Sequence, residues 1–171
     1  MTQASCTAIV PGAGAVDYAW QNRQRRANKH NPIARSGFGK CGERGSMQQA
    51  VRKYLSALEA GDAQRAASLF IDGGWVQSPF LGRLPVRDYV TKVASASSRA
   101  KLTIYDVLVS AEGHLRAVAY YQYDWSLKDG SNVSFDCADV FNFDPDTGHI
   151  QSIVLVYDTD PVRAVVESKY P

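Results

Sequence analysis

Two residues in this chain could act together on a carbonyl group: a tyrosine, Tyr54, in a stretch with helical spacing, and a carboxylic acid, Asp139, inside a run with period-two alternation. On that run Phe135, Cys137, Asp139, Phe141 and Phe143 share one face, and Asp136, Ala138, Val140 and Asn142 share the other. A carboxyl group between Cys137 and Phe141 must either take up a proton or find a hydrogen-bond donor, and a phenol such as Tyr54 would serve. Two readings stay open for such a pair. It is either a set of donors aimed at a ligand carbonyl or enolate, or a buried structural bond between helix and sheet.

Other groups could complete such a site. Tyr120, Gln122 and Asp124 alternate on the preceding strand, where Asp124 is either an activator of water or a solvated edge carboxylate. Trp75, Phe80, Leu81 and Tyr89 surround a Ser78-Pro79 loop and are spaced either to wall a pocket mouth or to fill core. Cys137 reads as an inert buried thiol, because no base can be placed beside it. His114 and His149 fall at predicted turn ends, so the interior has no evident imidazole. Asp158, in Tyr-Asp-Thr-Asp-Pro, has the position of a carboxylate that bonds turn amides. Cys6, Cys41 and Cys137 are widely spaced and lie far from any histidine cluster, so neither a zinc site nor a disulfide framework is expected. We expect no metal and no cofactor.

The elements that must position these groups are readable from spacing. Ser46 is the expected N-cap of a first helix carrying Val51, Tyr54, Leu55 and Leu58, closed by Gly61. Asp62 caps a second, short helix through Ala66, Leu69 and Phe70 that ends at Asp72-Gly73-Gly74. Trp75 to Ser78 is extended, and after Pro85 a third helix with Val86, Tyr89, Val90 and Val93 inward fades near Ser98. Residues 102–109, 115–127, 133–143 and 150–157 then read as four strands joined by turns at Glu112-Gly113, Asp129-Gly130 and Asp146-Thr147-Gly148. Three helices followed by an antiparallel meander imply an α+β cone, its curved sheet wrapped around the long helix and open at a mouth.

Composition agrees with one domain and a basic tail. The chain has 171 residues, 45% of them hydrophobic, which is enough for one globular core but not two. Residues 1–45 hold seven Lys and Arg against two acids, a charge of +5, and are rich in Gly, Ser, Ala and Asn; we read them as a disordered extension. Residues 46–171, the expected domain, are mildly acidic at −3, which leaves no basic face for nucleic acid. No apolar run approaches the roughly 20 residues a membrane helix needs, and a cytoplasmic, soluble protein is the expectation.

Tyr54-Leu-Ser-Ala-Leu-Glu-Ala-Gly61-Asp62, Ala67-Ser-Leu-Phe70, Ser78-Pro79-Phe-Leu-Gly82, Asp139-Val-Phe-Asn-Phe-Asp144 and Gly148-His-Ile-Gln-Ser-Ile follow one another in order. Together, over about residues 47 to 160, they resemble the nuclear transport factor 2 and ketosteroid isomerase superfamily, including its polyketide-cyclase-like (SnoaL-like) branch. The resemblance implies a cone-shaped fold. By motif, Tyr54 matches the oxyanion-hole Tyr of ketosteroid isomerase and Asp139 its protonated oxyanion-hole Asp. The proton-removing position falls on Ser78, a hydroxyl in place of a carboxylate, which departs from classical steroid isomerisation.

These readings make Tyr54 and Asp139 the candidate catalytic pair, with Trp75, Ser78, Phe80, Tyr120, Asp124, Cys137 and Phe141 lining a pocket for a small apolar molecule. The expected activity is a cofactor-free isomerase, dehydratase or cyclase, the alternative a non-catalytic ligand-binding or dimerising module. Tyr121, Tyr123, Trp125 and Leu115, on the strand face opposite Tyr120 and Asp124, are the expected homodimer surface. A one-residue register error would exchange the pocket and interface sets.

Overall fold

The computed structural model describes residues 41–166, with side chains described from 44 to 165. The expected disordered extension therefore lies outside the described residues up to residue 40. The elements are α1 (Cys41–Glu59), α2 (Ala63–Ala67), β1 (Phe70–Ser78), β2 (Gly82–Pro85), α3 (Val86–Ala96), β3 (Ser97–Val109), β4 (Arg116–Leu127), β5 (Asn132–Phe143), β6 (Ile150–Val154) and α4 (Asp160–Val166).

α1 presents one apolar stripe, Met47, Val51, Tyr54 and Leu55, and all four side chains are buried. The helix does not begin at Ser46: it already runs from Cys41, and Ser46 is an exposed interior position. Tertiary docking overrides the weak helical preference of Ser and Gly here, since Gln48 Nε2 donates to the Val107 carbonyl at 2.8 Å and ties this turn to β3. At the other end Gly61 takes φ +67°, and Asp62 then accepts from Arg65 N at 2.9 Å to cap α2. α2 is shorter than expected and stops at Ala67. Phe70 belongs to β1, where it pairs with Ile150 and is buried.

The sheet has six strands in the order β2-β1-β6-β5-β4-β3, curved and unclosed, because β2 and β3 are its two edges. It is not wholly antiparallel: β1 and β6 run parallel. Between Phe70 and Trp75 the β1 chain carries extra residues relative to β6. Two glycines make that irregularity possible. Gly73 sits at φ +76°, and a side chain on Gly74 would meet the Phe70 ring at 2.8 Å.

β3 begins directly at the end of α3, five residues before the expected start, and its first residue accepts the Trp125 indole N–H through Ser97 Oγ at 2.7 Å. β6 stops at Val154, and Tyr157 returns only as a single bridge to Cys137. The short helix α4 was not anticipated. Asp158 precedes it and, as expected, accepts a turn amide, Asp160 N, at 3.0 Å. Among the described residues no helix is long and apolar enough to cross a membrane.

The largest correction concerns β4. Ala117, Ala119, Tyr121, Tyr123, Trp125 and Leu127 are buried on the concave face, while Tyr120, Gln122 and Asp124 face outward. The Tyr121, Tyr123 and Trp125 stripe therefore faces the interior rather than a dimer partner. Cross-strand register fixes the phase: Tyr121 sits opposite Cys137, Ala119 opposite Asp139 and Tyr123 opposite Phe135, and directly opposed residues share a face.

Candidate functional site

The concave face of the sheet, α1, α3 and α4 enclose a cavity of about 60 Å³. β4 supplies Tyr121, Tyr123 and Trp125; β5 supplies Phe135, Cys137 and Asp139; α1 supplies Tyr54 and α3 supplies Tyr89. Ser78 and Phe80 approach from the β1 end, and Leu155, Tyr157 and Val162 from the segment after β6. Asp139 is the one formally charged side chain in this lining.

Asp139 is 1% exposed. Its Oδ2 accepts from Tyr121 Oη at 2.7 Å, and its Oδ1 accepts from Val156 N at 3.3 Å. Burial dominates its titration and pushes the carboxyl pKa from the ordinary 3.8 up to about 7, although both hydrogen bonds pull it down. The group is thus poised to hold or release a proton near neutrality. Burial, followed by the nearby Asp139 charge, pushes the phenols of Tyr54 and Tyr121 upward, so both remain protonated donors.

Tyr54 Oη is buried and has no hydrogen-bond partner among the described residues. Its ring is held edge-on by Phe70 at 5.8 Å and by Phe141 at 5.6 Å. The ring has little freedom to turn toward another partner, so the hydroxyl presents a spare donor to the cavity. The partner of Asp139 is Tyr121, not Tyr54. Alternation along β4 does not reveal that bond, because the expected phase of the strand exchanges its two faces.

Ser78 is 4% exposed, and its Oγ accepts from Phe80 N and Leu81 N, both at 3.3 Å. Phe80 is half-buried and packs on Tyr157 at 6.3 Å, with the Arg163 guanidinium 5.6 Å above its ring. Burial pushes the Cys137 thiol pKa upward, which keeps it protonated and a poor nucleophile.

Of the sequence candidates, the cavity thus brings together Tyr54, Ser78, Phe80, Cys137 and Asp139. Four others lie elsewhere. Trp75 is on the opposite face of β1 from Ser78 and carries Arg83 at 3.9 Å over its ring. Tyr120 faces outward, its ring centroid 4.8 Å from that of Tyr105 with the planes tilted by 52°. Asp124 Oδ1 accepts from Ser134 Oγ at 2.5 Å on the outer face, too far round the sheet to activate a water in the cavity. Phe141 is fully buried and supports Tyr54 from behind, without lining the cavity. The sequence reading also passed over Leu155 and Val162, and set Tyr121, Tyr123 and Trp125 outside. Only the β4–β5 register could have placed those three.

No protein-family model matches the chain, and no curated protein does. Solved structures do. A putative polyketide cyclase from Xanthomonas campestris pv. campestris superposes with a TM-score of 0.58 at 15% identity, over 71% of this chain and 97% of its own. A protein with a ketosteroid isomerase-like fold from Catenulispora acidiphila, solved with trimethylamine, gives 0.59 at 13% identity, over 68% and 90% of the two chains. An NTF2-like protein of unknown function from Exiguobacterium gives 0.56 at 19% identity, over 64% and 98%. The chain has the NTF2-like fold. In this NTF2-like cone the cavity lies between the concave sheet and α1, and Asp139 and Tyr54 meet it from those two layers. Among the described residues no group of three or more His, Cys, Asp or Glu is placed to hold a metal ion.

Proposed function

We propose that this domain is a cofactor-free acid–base enzyme acting on a small, mostly apolar carbonyl compound. The observation that carries the reading is the buried Tyr54 hydroxyl, without a partner, in the same cavity as a carboxyl group that titrates near neutrality. Tyr54 donates a hydrogen bond to the substrate carbonyl oxygen. Asp139, in its ionised form, takes a proton from the carbon next to that carbonyl, and the charge moves onto the oxygen held by Tyr54. Asp139 then returns the proton to the same carbon or to a conjugated one. Isomerisation, loss of water and ring closure all share that first step. Tyr121 holds the carboxyl group in place throughout, through its 2.7 Å bond.

Apolar walls support the choice of substrate: Phe80, Trp125, Phe135, Leu155 and Val162 offer hydrocarbon surface beside the hydroxyl and carboxyl groups that orient the ligand. Deuterium exchange tests the first step directly. In D2O at neutral pH the protein should catalyse incorporation of deuterium at C2 of 1-phenylbutan-1-one, followed by proton NMR, and Asp139→Asn should abolish it. Exchange no faster than in buffer would overturn the reading.

We also propose a homodimer through the outer sheet face. Tyr105, Leu108, Tyr120 and Val156 stand 43 to 53% exposed there, an apolar group of the kind that a partner surface covers.

A further inference from the structure

Ser78 occupies the place where the resemblance to ketosteroid isomerase puts a proton-removing carboxylate, and its hydrogen bonds give it the opposite role. A serine hydroxyl has two lone pairs and one proton. Both lone pairs of Ser78 Oγ are engaged, by Phe80 N and Leu81 N at 3.3 Å each. No lone pair is left to receive a proton from a substrate. The hydroxyl proton, by contrast, has no acceptor among the described residues, and the side chain is 4% exposed and lines the cavity. A buried donor without a partner is unfavourable, and the two N–H groups that Ser78 accepts from make its own O–H a better donor.

Ser78 and Asp139 also stand in a row across three strands. Gln77 pairs with Val154 and Val154 with Val140, which sets Ser78 beside Leu155 and Leu155 beside Asp139. Two strand spacings put the Ser78 and Asp139 backbones roughly 10 Å apart. A ligand that spans the cavity from the Tyr54 and Asp139 end thus reaches the Ser78 wall with another part of its skeleton.

We infer that Ser78 is the second anchor of the ligand, a donor to a second oxygen, so that the site selects carbonyl compounds bearing two acceptor oxygens. The inference rests on the carbonyl-binding reading above. It makes Ser78 a specificity-determining residue and excludes it as the base.

The test compares matched phenyl ketones by quenching of tryptophan fluorescence. 1-Phenylbutane-1,3-dione and 1-phenylpentane-1,4-dione are titrated against 1-phenylbutan-1-one and 1-phenylpentan-1-one, with wild type, Ser78→Ala and Ser78→Thr. At least one dione should bind wild type about tenfold more tightly than its mono-ketone. Ser78→Ala should erase that ratio while the mono-ketone affinity stays, and Ser78→Thr, which keeps the hydroxyl, should restore it. A loss of both affinities in parallel would assign Ser78 to loop structure and overturn the inference while leaving the carbonyl reading intact. Equal binding of diones and mono-ketones by wild type would overturn it as well. Failure of every ketone to bind would remove both.

Discussion

Tyr121 reaches Asp139 along a diagonal of the β4–β5 ladder. Asp139 is paired directly with Ala119, and Tyr121, two residues further along β4, leans across to donate its phenol at 2.7 Å. Ala119, directly opposite Asp139, is fully buried. A carboxyl group is thereby fixed in an apolar wall without a cation beside it, which is why its titration moves upward rather than down.

Asp139 should make stability fall with pH. Its native pKa of about 7 exceeds the unfolded 3.8, so between these values the native state binds the extra proton and unfolding releases it. The stabilisation is complete below the unfolded value and is lost as pH rises through about 7. Denaturant melts should show wild type losing about 2–3 kcal/mol between pH 5 and pH 8. The Asp139→Asn variant should flatten that difference; an unchanged slope in the variant would assign the pH dependence elsewhere.

Tyr54→Phe should separate stability from function. Removing a buried hydroxyl that bonds to nothing relieves its desolvation cost, so the variant should be more stable by about 1 kcal/mol. The same change removes the donor to the substrate oxygen and should slow deuterium exchange by about 10²–10³-fold. Thermal melts paired with the NMR exchange assay read both effects. A destabilised variant would show that the hydroxyl has a structural partner.

Phe141 should matter through Tyr54 rather than through ligand contact. It is completely buried and meets the Tyr54 ring edge-on at 5.6 Å. Phe141→Ala should cost about 3–5 kcal/mol in urea unfolding. The milder Phe141→Leu should fold and still weaken ketone binding, because the Tyr54 ring loses its support.

The outer sheet face should govern assembly. Light scattering at micromolar concentration should give a dimer mass for wild type, and Leu108→Glu with Tyr120→Glu should give a monomer with unchanged far-ultraviolet dichroism. A monomeric wild type would overturn the proposed dimer.

The fold was largely legible because its elements announce themselves locally. The Val51, Tyr54, Leu55 stripe, the Asp62 cap and the three Gly-centred hairpins are all patterns within a few residues of one another. The misread parts depend on distant partners. Phe70 becomes strand rather than helix because Ile150 waits beside it, 80 positions along the chain. β4 resisted for a different reason: both of its faces carry tyrosines, Tyr120 on one and Tyr121 and Tyr123 on the other, so alternation alone gave no phase. The polar Gln122 and Asp124 suggest inward chemistry by type alone, whereas they are the ordinary solvent side of a half-buried strand. Tyr54 and Asp139 could be found because one lies on the single apolar stripe of α1 and the other interrupts an otherwise apolar face.

The parallel contact between β1 and β6 has a consequence for how the chain comes off the ribosome. β6, the last of the described strands, is inserted between β1 and β5 and joins what would otherwise be two separate sheets. Until residues 150–154 emerge, β1 and β2 have no neighbour on that side, and β5 keeps an open hydrogen-bonding edge. A nascent chain stalled before that point holds an unfinished cone with its aromatic lining bare to solvent. Closure therefore waits for β6, and a nonsense codon shortly before Ile150 should yield aggregates rather than a smaller working protein.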